Sequence, residues 1–442
     1  RVPAGYRDLR PDHSITVEYM VNSRPVTIAV AGAGNRGDVY ARWALNHPDR
    51  VQIVAVAEPR EAWRERLSDR HGIPSERRFG SWKEMAAAGK IADAVIVATQ
   101  DHDHVEPALT FAGLGYHLMV EKPMAPTEDE CRRLVAAVRE AGVTLAICHV
   151  MRYMPYTRLL KQVVDAGRIG EVMSIQHLEP VGYWHQAHSY VRGNWRREDE
   201  SSPMLLAKSC HDIDWMRYVV GAPIERVSSF GSLTHFTPEN KPEGAADRCL
   251  DCAVEPTCAY SAKKLYLGRV DRGQTGWPVY VLASDPTREN VEKALREGPY
   301  GRCVYACDND VVDHQVVALE FAGKVTGTFT MTAFSEGGHR RTQIFGTKGS
   351  IDGDGERIRI FDFLTDTTET LEVPSLGADA GSGHGGGDAG LMDAFVTALA
   401  TGDPSSISSG PLESLETHLA VFAAERARHT GTVERVEVPQ PA

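Results

Sequence analysis

The stretch Val26-Thr27-Ile28-Ala29-Val30-Ala31-Gly32-Ala33-Gly34-Asn35-Arg36-Gly37 decides the fold. Its first six residues are an almost unbroken apolar run of strand length, the glycines stop it, and a helical pattern starts at once and continues to about Asn46. At such a junction Gly32 permits a tight turn, Gly34 lets the backbone approach a pyrophosphate, and Gly37 lets the helix pack close to the sheet. The helix N-terminus, with Asn35 and Arg36, then faces the phosphates. Glu58, 21 residues after Gly37 at the end of the next apolar run, is placed to hold the ribose hydroxyls. These residues predict a dinucleotide site for NAD, and Arg60 stands where it could meet the 2′-phosphate of NADP.

Moving outward, strand-like Val51–Ala57, Ala94–Ala98 and His117–Val120 alternate with helical Glu61–His71, His104–Ala112 and Thr127–Ala141. Thr127 and Glu130 form a capping box. Continuous apolar strands between helices require a parallel sheet covered on both faces, so residues 26–150 read as a doubly wound Rossmann domain. Residues 1–25 are polar and unassigned. From 151 to 442 the rhythm changes to an α+β domain on an open, mostly antiparallel sheet. A helix at Pro155–Ala166 precedes a strand at Val172–Leu178 and a helix at about Met204–Val220. Strands follow at Gln315–Phe321, Lys324–Ala333, Arg341–Phe345, Ser350–Asp352, Arg357–Phe361 and Glu369–Val373, and helices at Leu391–Ala400 and Leu412–His429 close the chain.

With 48 Lys+Arg against 60 Asp+Glu, the 442-residue chain carries a formal charge of −12, which argues against a protein that tracks nucleic-acid phosphates. No stretch reaches membrane-span length, and no apolar core follows a basic start near residue 1, so a cytoplasmic enzyme is expected. Eight cysteines are too few for a disulfide scaffold in a chain this long.

A second motif, Glu121-Lys122-Pro123, follows the His117–Val120 strand, at the carboxyl edge where such sheets bind ligands. It occurs together with Arg152-Tyr153, Gly167-Arg168-Ile169-Gly170, His211-Asp212-Ile213-Asp214 and Gly346-Thr347-Lys348-Gly349. With the glycine fingerprint these resemble the Gfo/Idh/MocA family of NAD(P)-dependent carbohydrate oxidoreductases, over roughly Val26 to the C-terminus. The resemblance implies that Lys122 contacts the reacting hydroxyl and the cofactor beside Glu121, that His211 is the proton acceptor, and that copies associate into a homo-oligomer. The chemistry suits such a pair, since alcohol oxidation sheds a proton as hydride leaves. Inositol-dehydrogenase-like members carry Asp four residues before this histidine, where this chain has Ala207. Lys208, on the same face of a continuous helix as His211, is the expected substitute. Asp212 and Asp214 read as structural or helix-surface carboxylates.

Residues 183–197 hold no acid. Tyr153, Tyr183, Trp184, His185, His188, Arg192 and Trp195 are candidate substrate residues, because aromatic faces carry sugar rings and Arg forks suit an anionic substituent. An aromatic subunit interface is the other reading of this segment. His314, before a strand, and His384, in a Gly-rich loop, are further substrate candidates, with capping or turn roles as the alternative. Cys249, Cys252 and Cys258, with Cys307 or else Cys303, have the spacing of a structural zinc site stapling an insertion at about 240–310. Reduced loop cysteines or a disulfide are the alternatives.

The expected activity is NAD-dependent oxidation of a ring hydroxyl in a small-molecule sugar, cyclitol or glycoside. The alternative is a redox-neutral, NAD-dependent glycoside hydrolase that oxidises, eliminates, adds water and re-reduces. An anionic glycoside such as a sulfosugar or uronide would suit the basic segment.

Overall fold

Six strands, β1 (Val26–Ala31), β2 (Val51–Ala57), β3 (Arg78–Phe79), β4 (Ala94–Val97), β5 (His117–Val120) and β6 (Leu145–Ile147), pair in parallel in the order β3-β2-β1-β4-β5-β6. The order reverses between β1 and β4, and the loops leaving the strand ends there form a crevice of the kind that takes a dinucleotide. The computed structural model describes residues 24–373 and 384–437; the unassigned stretch 1–23 and the Gly-rich loop up to residue 383 lie outside the described residues. The short β3 and β6 and a helix at Trp82–Ala87 are additions to the sequence reading, their apolar runs being too brief to register as period.

A second sheet holds nine strands: β7 (Val172–Pro180), β8 (Ile224–Ser232), β9 (His314–Phe321), β10 (Thr326–Thr332), β11 (Arg341–Gly346), β12 (Gly349–Gly353), β13 (Arg357–Asp362), β14 (Thr367–Glu372) and β15 (Glu434–Arg435). Their order is β14-β13-β12-β11-β7-β10-β9-β8-β15, and only β7 and β10 run parallel. β9 shows the alternation of a half-buried strand: Val317, Leu319 and Phe321 face inward while Val316 and Ala318 are exposed. The inner face is covered by helices Cys210–Val220 and Pro411–Thr430, and the outer face carries exposed Phe230, Val316 and Phe345.

The expected single helix from Met204 to Val220 is broken. Helix Met204–Ala207 ends, Lys208 and Ser209 turn the chain, and a new helix begins at Cys210. Lys208 therefore does not share a helical face with His211. Between β8 and β9 the chain makes a long insertion of short helices around its own small core of Cys249, Ala262, Tyr266, Leu267, Val279, Val291 and Leu295. Among the described residues no helix is long and apolar enough to cross a membrane.

Candidate active site

At Gly32 and Gly37 the turn has no room for a side chain. A Cβ on Gly32, whose φ is +96°, would stand 2.4 Å from the Ala98 carbonyl oxygen, and one on Gly37 would stand 2.0 Å from that of Gly32. Gly34 caps helix Asn35–Asn46 without a side-chain hydrogen bond, so the first backbone N–H groups are left to an anion. This cradle fits the pyrophosphate of NAD. Glu58, buried at the end of β2, accepts from the Ala33 N–H at 2.9 Å and from the Arg60 guanidinium at 2.7 and 3.0 Å. These donors hold its carboxyl below the usual range against the opposing effect of burial, so the group is a charged acceptor at the end of β2.

Two residues expected to touch cofactor have another task. The Arg36 side chain donates to Glu121 at 2.7 Å and to the Tyr40 hydroxyl at 2.6 Å, and it pairs with Asp388. Glu121 also accepts from Tyr40 and from the Lys122 N–H. Arg36 and Glu121 thus tie the glycine-rich helix to the β5 edge and to the helix that begins at Gly387. Their side chains are committed to this lock because a buried carboxylate needs a paired cation.

Lys122 leaves the same edge in the other direction. Its Nζ donates 2.6 Å to the carbonyl of Ala207, just ahead of the helix that carries His211. One of three ammonium donors is used there. His211 is buried, with its ring centroid 6.0 Å from that of His149, which follows β6. Burial holds His149 down at about 3 and the neighbouring His418 at about 4, so both are neutral at physiological pH. Behind them Arg152 grips Asp214 through two hydrogen bonds of 2.6 and 2.7 Å, and Thr417 donates to the same carboxylate. His177 and Arg340 hold Asp212 well below the carboxylate range against the pull of burial. Both aspartates are structural, as expected, but neither lies on a helix surface.

Lys208 reaches Glu179 at 3.1 Å, and Glu179 also meets Arg340 at 2.9 Å. The lysine is thus an arm of an ion network and does not share a helical face with His211. His185 lies close to Lys208 and Lys122; burial, and then these cations, push its pKa far down. Trp195 donates to Asp101 at 3.2 Å, fastening the basic aromatic segment to the loop after β4. Trp184 packs on Trp277 at 5.3 Å and under Arg269, with Tyr183 exposed nearby.

Several substrate candidates turn away. Arg192 is buried and donates to the carbonyls of Arg302 and Tyr260, so it is a strut for the insertion. His188 stacks on Tyr300 and bonds the Tyr266 hydroxyl, while Tyr153 is sealed against Ser409. His314 is half exposed and paired with buried Asp313. His384 begins a turn whose side chain lies outside the described residues. Sequence reasoning missed His149, although its place directly after β6 on the carboxyl edge was the available signal. It also missed Tyr280, whose hydroxyl donates to Asn35 from the insertion and whose ring lies 5.9 Å from Trp63. Four cysteines line one cavity, yet among the described residues no three His, Cys, Asp or Glu side chains stand in metal-ligating geometry.

A parallel sheet of this order, a glycine cradle at its switch point and a lysine at its carboxyl edge define a dinucleotide-dependent oxidoreductase. Models of the oxidoreductase family match in two parts, its NAD-binding Rossmann fold over residues 26–149 and its C-terminal alpha/beta domain over 161–379. The chain belongs to the Gfo/Idh/MocA oxidoreductase family. It is 25% identical over 334 residues to the putative oxidoreductase YteT of Bacillus subtilis, covering 71% of this chain and 74% of that one. It is 28% identical over 216 residues to a 2,7-anhydro-N-acetylneuraminate hydratase of Escherichia coli, covering 48% of this chain and 55% of that one. An oxidoreductase from Agrobacterium radiobacter, solved with NAD+, L-tartaric acid and magnesium, shares the fold with a TM-score of 0.67. That match covers 93% of this chain and 98% of the other at 15% identity.

Proposed function

We propose that the protein oxidises a ring hydroxyl of a sugar, cyclitol or glycoside, with Lys122 and His211 at the reacting carbon. The observation that carries this is the Lys122 bond to Ala207, which brings a cation from the cofactor side to the base of the helix bearing the histidine. NAD, when bound, supplies the hydride acceptor. Lys122 steadies the oxygen as it gains charge, and His211 receives its proton. Neutral His149 beside His211 adds no competing positive charge. Trp184, Tyr183 and His185 form the proposed sugar-binding edge, and Glu58 selects NAD.

A second reading is a redox-neutral lyase, hydratase or glycosidase cycle, in which the hydride returns to the product. It is favoured by Tyr280, which crosses from the insertion onto Asn35 at the cofactor cradle and would slow cofactor release. The E. coli relative is by name a hydratase, which accords with such a cycle. Association of copies is proposed through the exposed outer face of the second sheet, checked by sedimentation velocity. A panel of free sugars, uronides, sulfosugars and aryl glycosides, followed together for NADH and released aglycone, tests both readings. One NADH per product supports net oxidation. Many products per bound NAD without NADH support the neutral cycle, and silence across the panel with NAD bound overturns both.

A further inference from the structure

Five of the eight cysteines lie between β8 and β9, outside the catalytic cleft. Cys249 opens one short helical turn, Cys252 closes it, and Cys258 closes a second turn at Glu255–Thr257. Cys303 arrives from the far end of the insertion. There its N–H donates 2.8 Å to the Asp247 carbonyl, and Arg248 pairs with Arg302 as an isolated antiparallel bridge. The backbone therefore clamps together two segments about 50 residues apart, directly beside their thiols. Cys249, Cys252, Cys258 and Cys303 all line one cavity of about 20 Å3. That is room for a single ion or water.

We propose that Cys249, Cys252, Cys258 and Cys303 form a structural tetrathiolate site for Zn2+. On binding, four thiols release four protons and the ion gains four sulfur ligands, leaving a net charge of −2 and no change of oxidation state. The Arg192 guanidinium, which donates to the Cys249 sulfur at 3.5 Å, suits that charge. As the side chains stand they are not drawn into ligating geometry, so binding requires the thiols to rotate into the cavity. Cys307 is not the fourth ligand. It is absent from the cavity wall, and its thiol donates to the Cys303 carbonyl at 3.2 Å. The same insertion carries Trp277 and Tyr280 to the cleft, so the ion would brace the frame that covers the active site.

The test is metal analysis of the full chain purified under reducing conditions without chelator. The expectation is one zinc per chain, retained in Cys307→Ser, lost in Cys303→Ser and kept in Cys303→His. Should the serine variant fail to fold, Co2+ loaded into the wild-type chain reports instead through the intense thiolate-to-metal absorption of a tetrahedral sulfur site. Zinc-free protein with all eight thiols titratable overturns the proposal. So does a disulfide among the four cysteines, or loss of zinc in Cys307→Ser with retention in Cys303→Ser.

Discussion

Lys122 Nζ donates a 2.6 Å hydrogen bond to the carbonyl of Ala207, joining the edge of the parallel sheet to the break that precedes the His211 helix. The two residues are 85 positions apart in the chain. The bond fixes the ammonium on the cleft side, while its neighbour Glu121 is drawn the opposite way by Arg36 and Tyr40.

Removing the proton acceptor should therefore harm chemistry more than binding. His211→Ala is expected to lower turnover by about 10²–10⁴-fold with NAD affinity nearly unchanged. Lys122→Ala should lower turnover and weaken cofactor binding together. Steady-state kinetics beside calorimetric NAD titration checks both, and near-wild-type turnover of His211→Ala would assign the proton to another group.

At Glu58 the expected outcome is a change of cofactor preference. The carboxylate repels a 2′-phosphate, but Arg60 is already forked onto it. Glu58→Gln should free Arg60 and narrow the NAD-over-NADP preference by about tenfold, near 1.4 kcal/mol. Paired dissociation constants for the two cofactors measure it, and an unchanged ratio counts against the ribose role.

Tyr280 should act on cofactor residence. Losing one hydrogen bond costs about 0.5–1.5 kcal/mol, so Tyr280→Phe should speed NAD release by about 2–10-fold. Stopped-flow displacement of bound NADH reads that rate, and the same rate in both proteins would mean the strap does not retain cofactor.

Acid should destabilise the fold before its carboxylates titrate. Burial is the first cause that pushes His149 and His188 down to about 3 and His418 to about 4, below the ordinary histidine value of 6.5. Below that ordinary value the unfolded chain takes up protons that the folded chain refuses. Stability therefore falls as pH drops from about 6.5 toward 4, by up to about 1.4 kcal/mol per pH unit for each histidine. Urea midpoints at a series of pH values should show this loss, and His418→Gln should shallow the slope. A flat profile across that window would show that these rings are not held neutral.

Much of the first domain was legible because its signals are local. A buried parallel strand must be continuously apolar, a turn under a pyrophosphate needs glycine, and Thr127 does cap its helix through the Glu130 N–H. Lys122 and His211 could be put forward as candidates because each stands in a short contiguous motif. What the chain could not disclose depended on distant partners. Arg192 reads as a basic residue in an aromatic segment, but carbonyls of Tyr260 and Arg302 claim it. Lys208 reads as a neighbour of His211 only while the helix is continuous, and the break at Ser209 turns it to Glu179. Spacing pointed to Cys307 ahead of Cys303, and only the closed insertion places Cys303 on the cavity wall. Local backbone preference and hydrophobic period are properties of a few adjacent residues, whereas the partner of a buried charge or thiol is settled by which remote atoms satisfy it once water is gone.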